Sequence, residues 1–332
     1  MKTERIVVDP SAPDPRAIAR CADVLLRGGL VAFATETVYG LGALADDDRA
    51  ARSIFVAKGR PPHNPLISHV ADVVAARRLA PVWTKSAELL ASKFWPGPLT
   101  LVVQKAPSIA SVVCAGLDAM SLRVPAHPTA QALLKAVGRP IAAPSANRSN
   151  ALSPTNAEHV LQQLDGRIHI VLDAGPCAVG LESTVIDLCS SPPVMLRPGR
   201  ITIDELRAVL GAVDARSATV AHGAARSSPG LDAKHYAPRA RLELLSLQEL
   251  RAIVRGTTAK VGVVSVGDCG VEADEHCVVR ALASEPEAYG AALYEALHSL
   301  DDAGCEVILC ERVPPGAPWD AARDRLARAS AK

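Results

Sequence analysis

Between residues 58 and 65 the chain reads Lys-Gly-Arg-Pro-Pro-His-Asn-Pro, and this octet restricts the fold more than any other segment. Proline fixes φ at about −65° and has no amide to donate, whereas glycine frees φ. One glycine and three prolines in eight residues therefore suit a rigid loop and not a helix interior or central strand. The loop carries two cations, Lys58 and Arg60, with no carboxylate beside them. Cations fixed in this way call for an anion, and a phosphate-bearing ligand is the first candidate.

What flanks the octet is an alternation of short apolar runs and helical periods, the pattern of an α/β domain. Asp14-Pro15 predicts a helix start, with Ile18, Cys21, Ala22, Leu25 and Leu26 facing inward and Gly28-Gly29 ending it. Strands are predicted at 30–34, 66–70, 99–103, 120–124, 141–143, 168–172, 184–188 and 194–196. Helices are predicted at 47–56, 86–94, 129–137, 155–164 and 202–210. From about residue 211 to 240 no period survives, and Ala, Gly, Ser, Pro and charged residues dominate. Such a long unstructured stretch calls for a functional reason. Beyond it, strands at 242–245, 260–265, 277–280 and 307–310 alternate with helices at 247–255, 286–300 and 319–329. The division is a first domain over 1–211, a linker over 212–240 and a smaller α/β domain over 241–332. A length of 332 residues accords with two domains. Aromatic residues make up only 3%, so the cores must be built from Ala, Val, Leu and Ile.

The formal net charge is +1, so no global field draws the chain to nucleic acid or membrane, and an anion site must come from local clustering. No apolar stretch is long enough to span a bilayer, and the first ten residues hold no signal-peptide core. A cytoplasmic protein is expected, with its eight scattered cysteines as free thiols. No Cys-x-x-Cys occurs, and His276 beside Cys277 lacks two further ligands, so no protein metal site is predicted.

Polar residues gather at the ends of the predicted strands of the first domain, where open α/β sheets bind ligands. The first group is Thr35-Glu36-Thr37-Val38-Tyr39-Gly40-Leu41-Gly42, a candidate ligand loop. The second is Lys58 to Asn64, with His69 beyond it. The third is Arg123, which interrupts an apolar strand and needs a carboxylate from the protein or from a substrate. The fourth is Ser145-Ala146-Asn147 followed by Ser153-Pro154-Thr155, just before a helix start that could receive an anion or simply be capped. The fifth is Glu182-Ser183-Thr184 with Arg197-Pro198-Gly199-Arg200. There is no Gly-x-Gly-x-x-Gly, no P-loop and no nucleophile elbow. Cations and hydrogen-bond donors without a covalent nucleophile point to positioning and charge stabilisation, as in phosphoryl or nucleotidyl transfer.

In this order the clusters resemble the threonylcarbamoyl-AMP synthases of the YrdC-like fold, in their long two-domain form. The matching segments include Thr35 to Gly42, Lys58 to Pro61, Asn64 to Ile67, Trp95 to Thr100, Arg123-Val124-Pro125, Ala143 to Asn147, Glu182 to Val185 and Leu196 to Gly199. The linker piece Ser228 to Pro238 is similar to the family's linker. The resemblance implies a YrdC-like twisted mixed sheet with helices, joined by the linker to a Rossmann-like α/β domain. It implies synthesis of L-threonylcarbamoyl-adenylate from L-threonine, bicarbonate or CO2 and ATP, with release of pyrophosphate. The product would serve a threonylcarbamoyl transferase machinery acting at adenosine 37 of tRNAs that read ANN codons. It further implies that Thr37, His69, Arg123, Ser183 and Thr184 surround threonine, and that Lys58, Arg60, Asn64, Ser145, Asn147, Ser153 and Arg197 hold ATP. Lys58 and Arg60 would act on the triphosphate, and Lys234, His235 and Tyr236 would form a lid. Mg2+ would ride on the phosphate oxygens. Two departures stand out: Ala119 where the family often has threonine, and Leu231 to Tyr236 where it usually reads Met-Lys-Tyr-Arg-His-Tyr. The competing reading is a double-stranded RNA or tRNA binding module without catalysis. A hydrogenase-maturation carbamoyl transferase is disfavoured, because its paired Cys-x-x-Cys motifs are absent.

Overall fold

A computed structural model of the chain describes residues 2–215 and 235–331. The first domain is built on one mixed sheet. Its strands are β1 (Glu4–Val7), β2 (Val31–Phe33), β3 (Gly40–Leu44), β4 (Ile67–His69), β5 (Leu99–Gln104), β6 (Ala119–Arg123), β7 (Ile141–Ala142), β8 (Ile170–Asp173), β9 (Thr184–Asp187), β10 (Val194–Arg197) and β11 (Asp214–Ala215). Their order across the sheet is 1-8-2-3-7-4-6-5-9-10-11. The sheet thus runs to residue 215, a short way beyond the last helix of this domain. Strands β2, β3 and β4 are buried along their whole length; β2 and β3 are the continuous apolar runs expected of a sheet covered on both faces, whereas β4 carries the polar Ser68 and His69.

Helix α1 (Pro15–Leu26) begins at Asp14, whose carboxylate accepts from the Arg16 amide, with proline in its first turn. Ile18, Cys21, Ala22 and Leu25 are buried as the spacing predicts, but Leu26 is 43% exposed. Its position carries it off the apolar stripe at the last turn. Helix α2 (Asp48–Lys58) is capped by Asp47 and ends on Gly59 at φ 62°. That left-handed cap is the conformation only glycine adopts freely, and it turns the chain into the proline-rich loop. Lys58 is therefore the last helical residue and not part of the loop. Between these elements and the linker lie α3 (Val73–Leu79), α4 (Lys85–Phe94), α5 (Pro128–Val137), α6 (Ala157–Leu164) and α7 (Ile203–Leu210). Strands β1, β3 and β11 and helix α3 are absent from the sequence-based expectation. The three strand segments are short, polar or glycine-rich, and pairing with neighbouring strands makes them strands; α3 is a two-turn helix started by Asp72, whose carboxylate accepts from the Ala75 amide.

In the second domain β12 (Arg241–Leu245), β13 (Val261–Val266), β14 (Cys277–Leu282) and β15 (Val307–Glu311) form a parallel sheet in the order 12-15-13-14. Helices α8 (Leu247–Gly256), α9 (Pro286–Asp302) and α10 (Asp320–Ala329) accompany it. The core of this domain is continuous with the first: Val38, Leu152 and Leu181 pack in one cluster with Tyr236, Tyr289, Leu293 and Tyr294. Ala237 pairs with Ala151, and its amide donates to Asn150. The two domains therefore share buried apolar surface right beside the polar loops.

Candidate active site

Strand pairing gathers the polar groups. β4 and β6 run parallel with His69 opposite Arg123, so two side chains 54 positions apart become neighbours at the same strand end. β5 and β9 are parallel, and β9 and β10 antiparallel with Arg197 opposite Val185, which brings Thr100, Ser183 and Arg197 together. Thr100 and Ser183 share a hydrogen bond of 2.8 Å between their hydroxyls, and Arg197 donates to the Ser183 carbonyl at 3.0 Å and to its hydroxyl at 3.2 Å. Gly199 passes so close that a Cβ there would lie 2.3 Å from the Thr184 amide nitrogen, so no larger residue fits.

The loop after β2 is braced from within. Thr35 Oγ1 donates to the Val38 carbonyl at 2.6 Å and bonds Thr37 Oγ1 at 2.8 Å. Thr37 Oγ1 accepts from Arg123 Nη1 at 2.9 Å, and Arg123 Nε donates to the Gly97 carbonyl at 3.2 Å. The carboxylate that a buried arginine requires is Glu36, 2.7 Å from Nη2. Burial pushes the Glu36 carboxyl up, but Arg123 outweighs it and the net direction is down. His69 is held neutral: burial first, then the charge of Arg123, brings its pKa down to about 3, and Nδ1 has no hydrogen-bond partner.

Lys58 and Arg60 are both buried, and each is met by backbone carbonyls. Lys58 Nζ donates to the carbonyl of Ser145 at 2.6 Å and to that of Asn147. Arg60 donates to the carbonyls of Asn64 at 3.1 Å and Pro65 at 2.9 Å. The expectation that these cations need an anion is thus met in part by carbonyl dipoles. Burial, and then the nearby charge of Arg60, hold the Lys58 pKa well below that of an ordinary lysine.

Thr37, Arg60, His69, Arg123, Ser145, Ser183, Arg197, His235 and Tyr236 line one common cavity of about 40 Å³. That is room for a water or two. Lys58, Asn64, Asn147, Ser153 and Thr184 do not line it, although Lys58 and Asn147 stand directly behind Ser145. Thr184 turns away: its hydroxyl donates to the Ile201 carbonyl at 2.6 Å and accepts from the Ile201 amide at 3.1 Å. Ser153 also faces elsewhere, donating to Glu182. Lys234 lies outside the described residues, whereas His235 and Tyr236 close one wall of the cavity. Sequence reasoning assigned no role to Glu36, Thr100, Glu182, Tyr294 or Arg325. Glu36 and Glu182 stand within the quoted motifs, so a search for the buried arginines' counter-ions would have found them. Among the described residues no group of three or more His, Cys, Asp or Glu side chains could hold a metal, and none of the helices is long and apolar enough to cross a membrane.

An open mixed sheet with cations, hydroxyls and a neutral histidine around one partly open cavity makes a candidate small-molecule site suited to charge and hydrogen bonding. The Sua5/YciO/YrdC family model, described as telomere recombination, matches residues 23–199, and that of the threonylcarbamoyl-AMP synthase C-terminal domain matches 201–331. The threonylcarbamoyl-AMP synthase of Bacillus subtilis is 40% identical over 99% of this chain and 98% of its own. That of Pyrococcus abyssi is 41% identical over 93% and 92% respectively. The crystal structure of P. abyssi Sua5 complexed with L-threonine superposes with a TM-score of 0.91, at 40% identity, covering 99% of this chain and 98% of that one. The chain belongs to the threonylcarbamoyl-AMP synthase family.

Proposed function

We infer that this chain is a nucleotidyltransferase that makes L-threonylcarbamoyl-adenylate from L-threonine, bicarbonate or CO2 and ATP. The observation that carries the reading is Arg123, buried at a strand end beside Thr37, His69 and Ser183, in a chain related to the synthases over nearly its full length. The threonine amine attacks the carbon of CO2 with loss of a proton, or that of bicarbonate with loss of water, and yields a carbamate. A carbamate oxygen then attacks the α-phosphorus of ATP, and pyrophosphate leaves. Arg123 offers donors to the threonine carboxylate, and Thr37 holds the arginine in place: the Thr37 hydroxyl accepts from Arg123 and gives its own proton to Thr35, whose proton is spent on the Val38 carbonyl. Ser183 offers a hydroxyl to the substrate side chain, and neutral His69 offers a ring without adding charge. Arg60, Ser145 and Arg197 line the same cavity and would take the nucleotide, with Arg197 bridging to the Ser183 carbonyl and hydroxyl. Lys58 supports Ser145 and Asn147 from behind and would reach the triphosphate by exchanging a carbonyl for a phosphate oxygen. Mg2+ would enter as the ATP complex, since the one carboxylate lining the cavity, Glu182, is committed to Arg325.

The cavity is far smaller than ATP, and movement of His235 and Tyr236, which line it, would admit substrates as a lid does. Closure would keep water from a labile carbamate and adenylate. The adenylate would pass to a threonylcarbamoyl transferase machinery for N6-threonylcarbamoyladenosine at position 37 of tRNA. A small, partly open cavity and a net charge of +1 give no support to an RNA-binding surface as the main role. The test is pyrophosphate release from ATP that requires both threonine and bicarbonate. ATP consumption indifferent to either would overturn the reading.

A further inference from the structure

We propose that Arg325, on α10 of the second domain, is a positioning residue for the adenylate-forming site. It fixes the two loops that carry Ser183 and Arg197 and seats Tyr236 against the cavity. The inference rests on the reading of that cavity given above.

Arg325 is 1% exposed, among the most deeply buried of the large side chains. An arginine is removed from water at high cost unless every donor is met, and here the donors are met across the domain boundary. Nε donates to Glu182 Oε2 at 2.7 Å, and Nη2 to the Pro198 carbonyl at 3.1 Å. Nη1 donates to its neighbour Asp324 at 2.6 Å. Glu182 precedes Ser183 and Pro198 follows Arg197, so one planar guanidinium ties together the two loop positions next to the side chains that face the cavity. The planar fork of arginine allows this and the single ammonium of lysine does not. Glu182 also accepts from Ser153 and, at 3.2 Å, from the Tyr294 hydroxyl. Strand β9 is thereby held from three sides, two of them in the second domain.

The guanidinium carbon also lies 5.1 Å from the centroid of the Tyr236 ring, within cation–π range. Tyr236 sits at φ 60°, a left-handed conformation unusual for a bulky residue. Such a backbone persists only where its surroundings over-determine it. Tyr236 has Arg325 against its ring, His235 at 4.0 Å and Tyr294 at 6.0 Å between ring centroids. Both His235 and Tyr236 line the cavity, so the same arginine organises the substrate loops and the segment that closes over them.

Steady-state kinetics of the full chain test this with Arg325→Lys, Arg325→Met and the charge-balanced Glu182→Gln/Arg325→Met. The readouts are KM for threonine, kcat, and pyrophosphate released per adenylate formed. None of these ratios or constants except kcat changes if a variant merely folds in lower yield. All folded variants should raise the threonine KM or lower kcat by at least about tenfold, the scale of misplaced substrate groups. They should also release more than one pyrophosphate per adenylate, with lysine the mildest. Wild-type KM and stoichiometry in the double variant would overturn the proposal. Should no variant fold, hydrogen exchange on the wild type decides. ATP with threonine should slow exchange in Asp320–Ala329 more than in the remote helix Leu247–Gly256, and equal or no slowing would overturn it. A wild-type protein without threonine-dependent pyrophosphate release would instead refute the functional reading itself.

Discussion

The carboxylate of Glu36 lies 2.7 Å from Nη2 of Arg123, so the arginine that ends β6 is neutralised by the loop that follows β2. Arg123 is buried and Glu36 only slightly exposed, and Arg123 also reaches Thr37 and the Gly97 carbonyl. The side chain is thus aimed before any substrate arrives, and what remains for a ligand is its cavity-facing edge.

Arg123→Gln should lower kcat/KM for threonine by about 10- to 100-fold, the scale of hydrogen bonds to charged groups. The KM for ATP should change much less. Initial-rate measurements varying each substrate in turn check this. An ATP KM that rises as much as the threonine KM would place Arg123 at the nucleotide.

Lys58→Met leaves the carbonyls of Ser145 and Asn147 without their donor. Stability should drop by about 1–3 kcal/mol for each carbonyl that water cannot reach. Turnover should fall by a further factor equivalent to about 2–4 kcal/mol, typical of one preorganised charge-stabilising group. Urea unfolding and pyrophosphate release on the same samples separate the two. Unchanged turnover in the folded fraction would confine Lys58 to a structural role.

Ser183 and Thr184 should part company. Ser183→Ala removes a cavity-facing hydroxyl and should erode the preference for threonine over valine. Serine keeps the hydroxyl and should lose only the about 1–3 kcal/mol of a methyl. Thr184→Val removes both hydrogen bonds to Ile201 and should cost stability, about 1 kcal/mol per lost hydrogen bond, with little effect on the amino-acid preference. A switch of these two outcomes in competition assays would show that the loop is misread.

The buried histidines set an acid limit. Burial holds the pKa of His69 and of His159 down to about 3, and those of His235 and His298 are also lowered. His159 and His298 stack across the domain seam with centroids 3.7 Å apart. Each folded ring stays neutral while the unfolded ring takes up a proton below about pH 6.5. Their contribution is therefore complete above that pH and is lost as pH falls toward the folded values. For His69 and His159 the loss is about 1.4 kcal/mol per pH unit over that range. The depressed carboxyls of Glu36 and Glu182 add a second loss in the same direction once pH falls below about 4.5. Urea midpoints at pH 7.5 and 5.5 should differ markedly, and a His298→Asn variant should narrow the gap. Equal midpoints would show that these rings are solvated.

Most of the strands and helices, though not β1, β3, β11 or α3, and a second α/β unit were legible in the sequence, as were many of the residues that line the cavity. Apolar periodicity, proline and glycine are local signals, and the hydroxyls and cations sit where strands end. The motif carrying Lys58 and Arg60 was recognisable for the same reason, since its stiffness is written into the backbone chemistry of the octet itself. What required tertiary structure was who faces whom. Ser183 and Thr184 are adjacent in sequence, yet strand geometry sends one hydroxyl to the cavity and the other to Ile201. Lys58 and Arg60 read as two unpaired charges until the fold supplies carbonyls, those of Ser145 and Asn147 from far along the chain for Lys58 and those of Asn64 and Pro65 from the same folded loop for Arg60. Arg325 stands in a helix whose neighbours Arg323 and Arg328 carry the same charge, and no local pattern says which of them is buried. Only the docking of α10 on the loops at Glu182 and Pro198 decides it, because burial and partnership are properties of contacts between segments 127 to 143 residues apart.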